Sequence, residues 1–260
     1  MIFHLRPIAL PASVAFGACL LALSASLHAA HPLITDDTST QGAGHWQWEL
    51  NTEHTNSTAP GFSQYSAQVG NTLTYGAGEK LDVLVSTPWI RLGQDASTVT
   101  PGVSGFMDGA IDLKWKFYEQ GPLSLAAKTG VILQNGSASR GLGTGKTNWS
   151  AYLVTAYETK PWMFLLHAGY LRNNNTAGER VDLWHLSAAV VRQLGEKWRV
   201  ALDGGADSNP DPASNTNPTF VVAGLIWSPH ADVDLDIGFK RTNDGVQTSD
   251  GVLAGLAVRW

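Results

Sequence analysis

In the stretch HWQWELNTEH, Trp46, Trp48, Leu50 and Thr52 alternate with Gln47, Glu49, Asn51 and Glu53. A β-strand turns successive side chains to opposite faces, so one face of this segment is apolar and the other charged. DGAIDLKWKF repeats the pattern, setting Ile111, Leu113, Trp115 and Phe117 against Asp108, Asp112, Lys114 and Lys116. DVDLDIGFK repeats it with Val233, Leu235, Ile237 and Phe239 against Asp232, Asp234, Asp236 and Lys240. Charges spaced this regularly require water on their face of the sheet. The chain is thereby confined to antiparallel sheets with one greasy side and one wet side.

The same rule gives twelve candidate strands, near 45–54, 64–75, 81–91, 106–117, 123–134, 148–157, 162–172, 182–194, 198–207, 219–227, 232–241 and 250–260. Their connections alternate in length. GAGEK, EQGP, ETKP, GEK and SPHA are tight, whereas NSTAPGFS, GQDASTVTPGVSG, NGSASRGLGTGKT and SNPDPASNTN are long and rich in Gly, Ser, Asn and Thr. Short turns at one end and long loops at the other predict an all-β fold, an antiparallel transmembrane β-barrel of the outer membrane with about 12 strands. The ten Trp of the chain sharpen this reading. Trp89, Trp149 and Trp184 fall at strand ends on the long-loop side, and Trp115, Trp162, Trp198, Trp227 and Trp260 beside the tight turns, as two interfacial belts require. A soluble β-sandwich would account for the hydrophobicity but not for this clustering.

Residues 1–30 carry one Arg, no acid and a long apolar run ending in small residues, which reads as a secretory signal peptide cleaved after Ala29 or Ala30. An uncleaved membrane helix is the alternative, opposed by Pro7, Pro11 and Gly17 within the run. The only cysteine, Cys19, lies in this leader, so disulfides and thiol chemistry are not expected. Residues 31–44 form an N-terminal periplasmic leader and candidate plug, and 45–260 the barrel. The 22 Asp and Glu outnumber the 17 Lys and Arg, which argues against a nucleic-acid partner.

GLGTGKTNWS, Gly141 to Ser150, approaches a phosphate-binding loop. That loop needs a glycine five residues before Gly145 and a following helix, but the position holds Arg140 and the segment sits between strands. It is expected to lie in an outer loop, and no cofactor or metal is expected.

Three segments taken together, HPLITDDTSTQGAGHWQWEL, GFMDGAIDLKWKF and GLGTGKTNW, resemble the outer-membrane transporter family named after the MetA pathway of phenol degradation. The resemblance runs over essentially the whole mature chain, with PLITDD and GLGTG its most specific parts. It implies an outer-membrane channel or transporter, some members being associated with aromatic-compound breakdown. No substrate and no catalytic residue carries over.

A closed sheet of this strand number, with strands about 4.8 Å apart and tilted about 40°, has a backbone diameter on the order of 24 Å, roughly half filled by side chains. A narrow pore fits inside it. The candidate lining is Glu49, Asp108, Asp112, Asp203, Asp234 and Asp236 with Lys114, Lys116, Lys128, Arg199 and Lys240, and the two histidines His167 and His185. The acidic excess implies a slight cation preference in a water-filled lumen. Asp112 and Lys128 are candidates for a cross-strand ion pair, either neutralising buried charge or filtering ions. In the leader, Asp36 and Asp37 are expected to meet Arg199, Arg259 or Lys116 at the periplasmic mouth; a disordered leader is the alternative.

The reading that follows is an outer-membrane channel of a Gram-negative bacterium for passive uptake of small molecules, hydrophobic or aromatic ones among them, and not an enzyme. Its expected partners are outer-membrane lipid and lipopolysaccharide, the small-molecule permeant, and the barrel-assembly machinery through the C-terminal strand GVLAGLAVRW. Two alternatives stand beside it. One is a lipid-acting enzyme using His185 and Ser187, two residues apart on one face, with Asn173, Asn174 or Asn175 supplying an orienting amide. The other is a closed structural or adhesive barrel.

Overall fold

The computed structural model describes residues 31–94 and 102–260; the expected signal peptide and part of the 92–105 connection lie outside the described residues. Strand segments run in the order β1 (Trp46–Ala59), β2 (Phe62–Gly78), β3 (Leu81–Ser86), β4 (Trp89–Gln94), β5 (Val103–Phe106), β6 (Ala110–Gln120) and β7 (Leu123–Ile132). They continue as β8 (Asn148–Thr159), β9 (Trp162–Arg172), β10 (Asp182–Leu194), β11 (Trp198–Asp207), β12 (Thr219–His230), β13 (Val233–Asn243) and β14 (Thr248–Arg259). β2 pairs with β3 along one half and with β4 along the other, so these two are a single barrel strand interrupted at Thr87–Pro88. β5 and β6 are likewise one strand, interrupted at residues 107–109. Twelve antiparallel strands result, and β1 closes the ring by pairing with both β2 and β14.

The interruptions have a local cause and a local remedy. Pro88 has no N–H to give a ladder. Across the break, Met107 N donates to Pro88 O and Thr87 N to Asn71 O, while the Asn71 side chain accepts from Trp48 Nε1 and donates to Thr87 Oγ1. No expected strand is lost, but the first expected loop is. NSTAPGFS is not a long connection: β1 and β2 continue in register through Ser57 opposite Gln64 and turn at Pro60–Gly61, with Gly61 at φ 74°. Thr55 and Thr58, β-branched, favour the extended backbone, and Ser57 bonds to Ser249 across the ladder.

Alternation decides which face sees the interior. Along β10, His185 and Ser187 are 6% and 3% exposed, whereas Leu186 between them is 56% exposed. The outward face gathers Leu153, Phe164, Leu166, Leu202, Val221, Ile237 and Val252, all exposed. At its rims stand Trp149 and Trp184 near the long loops, and Trp115, Trp162, Trp198, Trp227 and Trp260 near the short turns. Arg192 lies over the Trp162 ring at 5.0 Å, and Trp198 stacks on Trp227 at 5.8 Å.

Leu166 sits mid-strand on this apolar face, opposite Ala188 and Thr155. Leu166→Arg should cost about 2–4 kcal/mol, the range for a cation near the midplane of a barrel's lipid face. Urea unfolding from lipid vesicles, followed by Trp fluorescence, measures this.

Candidate functional site in the barrel lumen

The segment before β1 crosses the lumen and is seated residue by residue. His31 bonds to Asp236 on β13. Pro32 packs where a Cβ on Gly224 or Gly238 would stand, so those two glycines form its socket. Leu33 enters a cluster of Ala156, Leu165, Ala189, Val191 and Ala201, and Ile34 packs on Phe220, Val222 and Leu253. Each such side chain, once buried, contributes about 1.5–3 kcal/mol. A peptide without a strand partner must still satisfy its N–H groups. The Asp203 carboxylate does this, accepting from Ile34 N at 2.7 Å, Thr35 N at 2.8 Å and Thr35 Oγ1 at 2.7 Å. Further on, Thr38 bonds to Ser124, and Gln41 N donates to Asp82 at the short-turn end.

The charges meet differently from expectation. Lys114 Nζ donates to Asp36 Oδ1 at 2.9 Å and to Asp37 Oδ1 at 3.3 Å, and Lys128 Nζ donates to Asp36 Oδ2 at 3.2 Å. Arg199, Arg259 and Lys116 are not the partners of these acids. Both arginines bond to Asp234, at 2.8 and 2.7 Å, and Lys116 bonds to Glu119 at 3.0 Å beside the turn. Nor does the register pair Asp112 with Lys128: Asp112 lies opposite Gly130, and Lys128 lies directly opposite Lys114. Two like charges facing across a ladder repel, and both are buried. The leader's carboxylates, placed between them, offset that repulsion. Glu49 and Asp112 face the same lysines from the wall, and Lys240 pairs with Glu53.

His185 is the centre of a second network. Its Nδ1 bonds to Asp207 Oδ1 at 2.7 Å and its Nε2 to Ser187 Oγ at 2.9 Å, while Ser187 Oγ and Thr35 Oγ1 are hydrogen-bonded to each other at 2.7 Å. The third member is Asp207, not the expected amide; Asn173 and Asn175 hold the loop before β10 through Arg180 O and Glu179 O. Ser187 faces the lumen under the leader, where it contacts Thr35. His167 does reach His185, ring to ring at 4.9 Å.

Asp108 is not on a strand facing the lumen. It occupies the 107–109 interruption and accepts from Gly136 N at 2.7 Å and Thr144 N at 2.8 Å. The GLGTG stretch lies in the long loop between β7 and β8, as expected, but is drawn inward rather than left at the surface: Leu142 and Thr144 are buried, and Leu142 packs on Ile90 and Met107. The inward apolar residues that receive Leu33 and Ile34 carried no signal in the sequence, since an apolar residue on either face of a short strand reads alike.

No protein-family model matches the chain, and no curated protein does. Among solved structures it is similar to the COG4313 outer membrane channel from Pseudomonas putida F1, at 12% identity and TM-score 0.69, covering 90% of this chain and 100% of that one. It is also similar to the translocator domain of autotransporter NalP from Neisseria meningitidis, at 8% identity and TM-score 0.57, covering 95% of each. A third likeness is to the CymD monoaromatic hydrocarbon channel, at 10% identity and TM-score 0.51, covering 84% of this chain and 88% of that one. At such identities the likeness is one of fold, that of the β-barrels of Gram-negative outer membranes.

At the loop end, burial with Asp211 nearby pushes the Glu179 carboxyl up to about 7, against the hydrogen bond from Asn173. The folded loop holds this proton longer than the unfolded chain, so its stability is full at low pH and falls as pH rises from about 4.5 through 7. The rate of trypsin cleavage after Arg180, divided by that of Glu179→Gln at the same pH, should therefore be greater at pH 8 than at pH 6.

Proposed function

We propose that this chain is an outer-membrane channel for passive uptake of small molecules, constricted by its own N-terminal segment, and a member of the transporter family named after the MetA pathway. The observation that carries this is a polar lumen crossed by a peptide of the chain's own leader, with open space beside it. On the long-loop side lies an open pocket lined by Ile34, Glu53, Gln68, Phe220 and Lys240. A second pocket, lined by His31–Ile34, shares Ile34, Glu53 and Gln68 with the first. The peptide is held by hydrogen bonds, ion pairs and the apolar contacts of Pro32, Leu33 and Ile34, and takes no part in the strand ladder that closes the barrel.

In this reading the signal peptide is removed on export, the apolar outer face with its Trp rims sits in lipid and lipopolysaccharide, and GVLAGLAVRW guides assembly through the barrel-assembly machinery. Hydrophobic or aromatic solutes are the permeants. The likeness to a channel titled for monoaromatic hydrocarbons agrees with this. Deletion of residues 32–37 should raise the single-channel conductance of the refolded protein in planar bilayers several-fold; an unchanged conductance would refute the plug.

A further inference from the structure

We propose, building on the channel reading, that Lys114 and Lys128 form a binding site for the carboxylate of an aromatic acid, which Asp36 occupies in the closed state and which the permeant takes over to open the lumen. Asp36 is held as a bound ligand would be, one carboxylate oxygen on each ammonium, at 2.9 and 3.2 Å. Both lysines are buried, at 2% and 5% exposure, and they oppose one another in register. Withdrawing Asp36 alone would leave Lys128 facing Lys114, whose remaining leader contact is Asp37, with the wall acids Glu49 and Asp112 unchanged. A carboxylate that replaces it one for one keeps the local charge constant, whereas a neutral solute does not.

The ring specificity comes from an independent feature. Phe220 lines the open pocket on the long-loop side and stacks on His185 at 6.2 Å; His185 meets His167 at 4.9 Å, and His167 meets Tyr152 at 4.9 Å. Lys128 lies over the Tyr152 ring at 5.7 Å. A row of rings on four strands thus leads from the open cavity to the dilysine site, at spacings suited to stacking. Gly169 makes room for it, since a Cβ there would enter the Tyr152 ring. Along this row lie Thr35, bonded to Ser187, and Asp36, whose N–H points at His167 Nδ1. His167 Nε2 is buried with no hydrogen-bond partner among the described residues, a polar atom left for a ligand to satisfy.

The test uses the refolded mature protein in planar bilayers with millimolar benzoate, its neutral isostere benzamide, and acetate. Benzoate should raise the frequency of open events strongly, benzamide and acetate far less, and Lys128→Met should abolish the benzoate response. Asp36→Asn should open the channel without ligand. Calorimetric titration gives a second readout. Asp36→Asn removes the internal competitor, so it should bind benzoate about tenfold more tightly than the wild type. Equal effects of benzoate and benzamide, or equal benzoate affinity of wild type and Asp36→Asn in a channel that otherwise conducts, would overturn the dilysine site and leave the channel reading standing. Silence of Asp36→Asn and of the 32–37 deletion, both migrating as folded heat-modifiable barrels, would overturn the channel reading and this inference together.

Discussion

Hydrocarbon offers a backbone N–H no partner, so a sheet that spans a membrane must close its own ladder. Here the closing pair is β1 with β14, locked at the seam by Trp46 and Trp260, which exchange backbone hydrogen bonds. Most other features of the molecule follow from that closure. With no edge left, each strand has one face toward lipid and one toward the lumen, and the strict alternation of Leu186 with His185 and Ser187 is its direct expression. Where the ladder breaks, at Thr87–Pro88 and beside Met107, the chain stitches the gap with Asn71 and with a backbone bond from Met107 to Pro88.

Closure also creates an interior too narrow to treat its charges as solvated surface. A lumen side chain must find a partner across the space or on a neighbouring strand. Arg199 and Arg259 share Asp234, and Lys240 takes Glu53. Lys114 and Lys128 face each other, and their counter-charge comes from the leader. The leader is therefore part of the electrostatics of the wall, and its seat is specific at each position from Pro32 to Asp37. The same peptide lies across the lumen and lines both pockets, so the interaction that neutralises the lumen also constricts it.

The alternation of apolar and charged residues, the unequal turns and the clustered Trp were legible without coordinates, because each reflects a one-dimensional rule: side-chain period, chain length between strands, and residue type at an interface. The barrel and most of its inward residues follow from those rules. Pairing did not. The mate of a lumen charge depends on register and on the path of the leader, and the shift at Lys116–Tyr118 shows how one irregular residue re-addresses a hairpin. Asp108 went astray because Met107–Gly109 leaves the strand, a departure that DGAIDLKWKF does not announce.

Sequence alone thus determined that this chain forms a barrel with a polar inside and an apolar outside, since periodicity is written along the chain. Only the tertiary structure decided that Asp36 bridges Lys114 and Lys128, that Asp207 completes the contacts of His185, and that Gly224 and Gly238 are a socket for Pro32. These are meetings of residues far apart in the chain. Their distances are set by the closure of the ring, and no local pattern carries that information.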